Sequence, residues 1–597
     1  MKDYLTHLVC VLILTLISVT YFYPVLSNKS IQQSDISQFS GMSKQIVDHR
    51  ENFNEEPYWL DNAFLGMPSY QVSAKYPFDL LYYIDQAIRF LPRPADYLFL
   101  YLLSFYFLII SLNINYRYAL FGAIAFGFST YLIIILGVGH NTKALALGYL
   151  PFVVAGFLMI LRGNYLKGFL ISSLFLGLQV HANHYQMTYY TLIMLLVLVL
   201  VHYYDFLKSK ELKKIYKSFF VFISVGLLAL LMNSPSLLAT KEYSEFSTRS
   251  KSDITINADG SAKESLSGLD KEYITEYSYG VLESLNLIFP RFMGGGSSER
   301  IREDSKLMNF IRSLDANQAQ QVYQYSKVYW GNQPIVAAPA YIGISLFFIF
   351  LLSILLVNDL NRKWILIAIS ISLFLSWGKN FSFLTDLMID YFPLYDKFRA
   401  VSSIQIIIEF CIPLFAVMGL SKFFSNNTKE VQKLNSLKYA SMFLVSLILV
   451  FYFFGTSILD FKSDFEIFSQ YPEILNLLIE ERQYVFKSDV LRSLIIVVCC
   501  SITFYLFVKK IIKKDLTFLI ITLIVIFDLW IVDKNYVNSD QFVKKSLVEI
   551  PFQKTIADKA ILKDDSDFRV FDPMGGFSNA RTSYFHKSIS GYHAAKP

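Results

Sequence analysis

The chain has 597 residues, a formal charge of +6, 54% hydrophobic and only 17% charged residues, and a mean hydropathy of +0.41. Apolar runs near twenty residues recur along it, which predicts an all-α polytopic membrane protein and leaves no nucleic-acid signature. No Walker loop, dinucleotide fingerprint, HExxH or G-x-S-x-G element is present, so ATP-driven transport, metalloprotease and serine-hydrolase chemistry have no footing.

Tyr4 to Val25 has the look of a signal peptide, but the following YPVLSNKS offers no small-x-small cleavage site, so the reading is an uncleaved first span. About thirteen spans follow from apolar length, at 6–26, 97–112, 117–136, 143–161, 165–180, 187–204, 216–236, 335–357, 363–377, 402–421, 437–457, 489–508 and 515–533. With the N-terminus in the cytoplasm, the basic clusters all fall inside: Arg117; Arg162 and Lys167; Lys208 to Lys217; Arg362 and Lys363; Lys422 to Lys438; and Lys509 to Lys514. That is the positive-inside pattern, and with an odd number of spans it puts the C-terminal segment outside. Cys10, Cys411, Cys499 and Cys500 lie in apolar runs without metal or redox spacing and read as small hydrophobes.

Two long loops fall outside, at 27–96 and 237–334. The first carries Asp35 at the head of an amphipathic run (Ile36, Phe39, Met42, Ile46 at helical spacing) that would suit a helix lying on the membrane surface. The second holds a Ser/Gly/Lys stretch and Gly294-Gly295-Gly296, expected to be mobile, either a lid or a linker. Residues 1–533 read as the transmembrane domain. Residues 534–597, with a strand predicted at Phe568–Phe571, read as the beginning of an outside domain that continues past this chain.

Polar residues gather at the outer face. Asp35 could act as a general base or hold a divalent cation; alternatively, Asp35-Ile36-Ser37-Gln38 has the spacing of a helix cap. His140, Asn141 and Lys143 end one pair of spans. His181, Asn183, His184 and Gln186 end the next. These groups suit hydrogen bonding to a sugar or phosphate, or simple helix capping. Lys143, Arg291, Lys379 and Arg399 supply cations, with an interfacial anchor as the other reading of Arg399. Glu409 reads as the one clearly intramembrane carboxylate, facing a cavity or paired with an inward Arg or Lys.

Several stretches resemble the YfhO-like bacterial membrane proteins, in the flavour of longer Bacteroidetes-type members: GHNTKALALGYLP (139–151), ANHYQMTYY (182–190), NSPSLLATKEYSEFSTR (233–249), PRFMGGG (290–296), YWGNQPIVAAPAYIG (329–343), the segment 376–402 and SGYHAAK (590–596). The family is similar in architecture to GT-C glycosyltransferases. The resemblance implies a catalytic acidic residue in the first outside loop, best matched by Asp35, and a polyprenyl-phosphate-linked sugar as donor. The acceptor would be an envelope glycan, lipid or protein. Lys143 and Arg399 would steady the leaving phosphate, and His140, Asn183, His184 and Gln186 would orient the substrate. The second loop, with Glu242 near its start, would close over the acceptor. This chain has one Asp where some GT-C enzymes have paired acids, so metal use stays open. The rivals are a transporter or flippase for glycans and a non-catalytic scaffold for envelope assembly.

Overall fold

The computed structural model describes residues 2–248, 256, 260–261, 269–593 and 596. Most of the Ser/Gly/Lys stretch of the second loop lies outside the described residues, as do Arg249, Ala594 and Ala595 from two of the resembling stretches.

The chain begins with α1 (Lys2–Tyr21), strand β1 (Lys29–Ile31) and α2 (Ser34–Phe53). The hairpin of β2 (Trp59–Leu60) and β3 (Met67–Pro68) and helix α3 (Leu80–Ile88) complete the first long loop. Then come α4 (Ala95–Ser111), α5 (Tyr116–Gly127), α6 (Thr130–Val138), α7 (Asn141–Leu161), α8 (Tyr165–His181), α9 (Tyr185–Lys208) and α10 (Leu212–Met232). The second loop carries α11 (Ser234–Ser244), α12 (Lys271–Thr275), α13 (Lys306–Ser313) and α14 (Ala316–Tyr325). The later helices are α15 (Ile344–Leu356), α16 (Leu360–Ser376), α17 (Ser382–Tyr391), α18 (Ile406–Phe423), α19 (Glu430–Ile458), α20 (Pro472–Val508) and α21 (Lys514–Tyr536). Strand β4 (Phe542–Lys544), α22 (Lys545–Glu549), α23 (Ile556–Ile561) and α24 (Arg581–Phe585) close the described chain.

The protein is all-α in character, and each predicted apolar segment contains a helix. Among the described residues, eight helices are long and apolar enough to cross a membrane, or ten if two bent pairs count as single spans. The predicted thirteen is not reached by that measure, because α4, α8 and α15 have 17, 17 and 13 residues, too short to qualify, and 335–343 is not helical. One bent pair is α5 and α6, which meet at 48°. The break falls at Phe128-Ser129, where the Thr130 amide leaves the helical ladder and donates to the Tyr341 carbonyl at 3.0 Å. The other is α16 with the segment that includes α17, bent by 111°.

Helices that are apolar all round belong in the interior. Accordingly α7 and α18 are buried along most of their length, with Leu147, Val154, Phe410 and Phe415 fully enclosed. Helix α20 has 37 residues, about 55 Å at 1.5 Å per residue, which exceeds the ~30 Å hydrocarbon core of a bilayer. Its first turns carry Leu478 and Val485 into a separate cluster with Ile301, Leu307 and Ile311. There Glu481 accepts from Arg302 at 3.1 Å.

The first loop and the C-terminal segment form one layer, so 534–597 does not stand apart from the first loop. Strand β1 pairs antiparallel with β4, Lys29 opposite Lys544 and Ile31 opposite Phe542. Asn62 Nδ2 donates to the Ser583 carbonyl at 2.8 Å, and Arg569 pairs with Asp61 at 2.7 Å. Gly41 lies so close to this segment that a Cβ there would sit 2.2 Å from the Ala580 carbonyl oxygen. The predicted strand at 568–571 reduces to one parallel bridge, Val570 to Ser588.

Two further expectations are corrected. The apolar face of α2 is covered in part: Met42 and Ile46 pack with Leu60, Ala63, Met67, Tyr243 and Ala580, while Phe39 stays exposed. The glycine run is packed as well. Gly294, Gly295 and Gly296 are buried, and a Cβ on Gly295 would lie 2.3 Å from Glu299 Oε2. Glycine is needed there for close approach and for a φ of +87°, which side-chain-bearing residues rarely adopt.

Candidate functional site

Asp35 is the second residue of α2, and the cap position belongs to Gln33, which makes no side-chain capping bond. The capping alternative for Asp35 therefore fails. Its carboxylate instead reaches two other parts of the chain. Oδ2 lies 3.0 Å from His140 Nε2, and Oδ1 accepts a hydrogen bond from the Tyr592 hydroxyl at 3.0 Å.

The local sequence explains the meeting. Helix α6 ends at Gly139, whose φ of +97° turns the chain sharply. A Cβ there would lie 3.0 Å from Gln33 Cβ and 3.5 Å from Asp35 Cβ. The Gln33 side-chain amide donates to the Leu136 carbonyl, pinning the start of α2 to the end of α6. The next residue is His140, directly opposite the carboxylate.

Electrostatics favour the ionised acid. Burial pushes the Asp35 carboxyl up, but the His140 hydrogen bond and charge, the Tyr592 bond and the Lys143 charge outweigh it and hold the group below its ordinary value. Tyr592 is driven the other way, to about 12, by burial and then by the Asp35 charge. His184, at the head of α9, is held neutral by burial, with Lys143 and His140 adding to the effect.

Two cations stand in the same neighbourhood. Lys143 Nζ donates to the Tyr131 hydroxyl at 3.2 Å and to Ser403 Oγ at 3.4 Å. Arg399 donates to the Tyr273 hydroxyl at 2.7 Å, and its charge acts on Tyr592 alongside that of Asp35. Gln186 Nε2 donates to the Arg399 carbonyl at 2.6 Å and to the Tyr190 hydroxyl at 2.9 Å. Among the described residues neither Lys143 nor Arg399 has a carboxylate within ion-pair distance; their charges are met by hydroxyls and by the rings of Tyr131 and Tyr273.

The remaining candidates are placed as follows. Asn141 opens α7, its amide bonded to the Gly139 carbonyl at 2.7 Å. Asn183 is exposed in the turn between α8 and α9 with φ of +56°. Glu242 is exposed on α11, where its charge acts on Tyr70. Lys379 is exposed, and its amide is bonded to Ser278 Oγ at 3.0 Å. Arg291 belongs elsewhere, beside Asp489, with its amide on Oδ2 at 3.0 Å and Nε 3.8 Å from Oδ1. His181 pairs with Asp79 at 2.7 Å. Among the described residues no group of three or more His, Cys, Asp or Glu is arranged to hold a metal ion.

Sequence reasoning missed Tyr592, Tyr131, Tyr273 and Ser403 at this site. Tyrosine is common throughout the chain, and no local spacing ties residue 592 to residue 35.

It also missed the charges inside the apolar helices. Glu409 is not alone, and its partner is no cation: Ser129 Oγ donates to it. Asp528 on α21 accepts from Arg492, from the Tyr341 hydroxyl at 2.6 Å and from Ser345 Oγ at 2.7 Å. Asp489 and Asp533 are buried too. A second cluster joins Arg89 to Asp85 and Asp96, with the Tyr149 hydroxyl on Asp85 at 2.6 Å. The Asp85/Arg89 spacing of four was a visible signal for that pair.

Compared with known protein families, curated proteins and solved structures, the chain matches none.

Proposed function

We propose that the protein is a YfhO-like, GT-C-type glycosyltransferase that moves a sugar from a polyprenyl-phosphate carrier to an envelope acceptor. In this reading all thirteen segments cross the bacterial cytoplasmic membrane, and Asp35, His140, Lys143, His184 and Arg399 share its outer face. Asp35 hydrogen-bonds the acceptor hydroxyl and takes its proton as that oxygen bonds to the anomeric carbon. The carbon–oxygen bond to phosphate breaks, and the phosphate leaves with the electron pair. Lys143 and Arg399 meet the departing charge, a role that needs cations already positioned and not neutralised by carboxylates. His140, with one ring nitrogen at Asp35, orients the carboxylate.

The observation that carries the reading is Asp35, held below its ordinary value, near Lys143, with Arg399 acting on the same Tyr592, neither cation having an ion-pair partner among the described residues. The test is incorporation of labelled sugar into the envelope of a deletion strain complemented with wild type or Asp35→Asn at matched abundance. Loss of a positioned base should lower incorporation by roughly 10²–10⁴-fold. Equal rescue by both would remove Asp35 from the chemistry.

A second reading, transport of a lipid-linked or envelope glycan, is favoured by the charges within the apolar helices, because intramembrane ionisable residues commonly line a translocation path. It predicts that labelled glycan accumulates on the cytoplasmic side in the deletion strain while total transfer is unchanged.

A further inference from the structure

The break between α5 and α6 gathers buried oxygen atoms that are poorly satisfied among the described residues. Thr130, Glu409 and Asp533 come from α6, α18 and α21, and each is fully buried. Among the described residues, Thr130 Oγ1, Glu409 Oε1 and both Asp533 carboxylate oxygens lack a hydrogen-bond partner of normal geometry. They are neighbours: the Thr130 hydroxyl is the one side-chain hydrogen-bond donor acting on Asp533, by a loose contact, and the Glu409 carboxyl acts on it through its charge. Glu409 Oε2 is held by Ser129, one residue before Thr130.

A buried charge without a partner costs several kcal/mol, and the cations nearby do not meet the demand. Asp528, next along α21, is already matched by Arg492, Tyr341 and Ser345. Lys534, the one cation acting on Asp533, turns away. Its Nζ donates to the Tyr21 carbonyl at 2.9 Å and sits 3.8 Å from the Tyr21 ring centre. With both carboxyls ionised, Glu409 and Asp533 together exceed Lys534 by one negative charge.

The geometry points to a binding site for one alkali-metal cation, enclosed by Asp533, Glu409 and Thr130 at the broken helix. The donors are hard carboxylate and hydroxyl oxygens, the type that holds such ions. A helix interrupted inside an apolar bundle is a recurrent place for them. The charge deficit calls for a single positive charge. The site is independent of the transferase and transport readings alike.

The test uses the full chain in lipid nanodiscs, with thermal unfolding followed at constant ionic strength in NaCl, KCl or N-methylglucamine chloride. A bound cation stabilises the folded state in proportion to its occupancy, so Na⁺ or K⁺ should raise Tm saturably relative to N-methylglucamine. Thr130→Val and Glu409→Gln should each raise the half-saturating cation concentration by about tenfold or more, and Asp533→Asn should abolish the response. A Tm that is the same in all three salts would overturn the site, as would a cation response that survives Thr130→Val and Asp533→Asn unchanged. Stability that follows pH alone and ignores alkali cations would assign the extra positive charge to a proton and equally overturn it. If Asp533→Asn does not fold, the wild-type salt comparison and Thr130→Val still decide.

Discussion

Asp35 lies in the first turn of a helix, where a carboxylate is also favoured by the backbone dipole. What distinguishes it is the company of His140 and Tyr592, drawn from sequence positions more than a hundred and more than five hundred residues away. Its depressed proton affinity has a consequence for stability. A group whose folded value lies below its ordinary 3.8 contributes stabilisation that is fully present above that value and is lost as pH falls through the folded one. Wild type should therefore lose Tm more steeply than Asp35→Asn as pH drops from about 6 to about 3. Parallel curves would mean that the His140 and Tyr592 contacts add no net stability. At this scale the sequence picked out loop residues that the fold brings near one another: Asp35, His140, Lys143, His184, Gln186 and Arg399. It was silent about Tyr592, because contact between chain ends leaves no periodicity or spacing to read.

At the scale of elements, apolar length located the helices, since a bilayer-sized run of apolar residues has few alternatives to helix. Loops were harder. Polar, glycine-rich composition suggests mobility, but Gly294 to Gly296 are small because Val328, Glu299, Tyr536 and Ala337 press against them. Composition alone cannot separate a glycine chosen for freedom from one chosen for closeness. Gly295→Ala should accordingly destabilise the protein by about 1–3 kcal/mol through overpacking, read as a lower Tm, whereas a linker glycine would tolerate it. Gly41→Val should push Ala580 away and free the C-terminal segment. Limited proteolysis would then cut near residues 550–580 faster than in wild type while the helical bundle stays intact. Unchanged cleavage would show that the layer is held elsewhere, by Asn62, Asp61 or the β1–β4 pair.

For the whole molecule, the proposed orientation is directly measurable. In a cysteine-free background, single cysteines at the exposed positions Ser298 and Ser209 should react with a membrane-impermeant maleimide from opposite sides. Ser298 should label in intact spheroplasts and Ser209 only after permeabilisation. Labelling of both from one side would break the thirteen-span arrangement. Positive-inside bias suggests that arrangement, but it could not reveal that the first loop and the C-terminal segment assemble into a layer. Nor could hydropathy reveal the buried acids. Asp528 and Asp533 are averaged away by the apolar residues around them, although each is costly enough to need a specific partner.

The pairing of β1 with β4 sets an order of assembly. Residues 29–31 emerge from the ribosome near the start of synthesis, and residues 542–544 only after every apolar helix has been made. Until then β1 is an unpaired edge, and the Asp35 carboxylate waits for its last hydrogen-bond donor, Tyr592. A ribosome stalled before residue 542 would leave β1 unpaired and Asp35 without its Tyr592 contact. The contacts around Asp35 are thus complete only once residue 592 has been made.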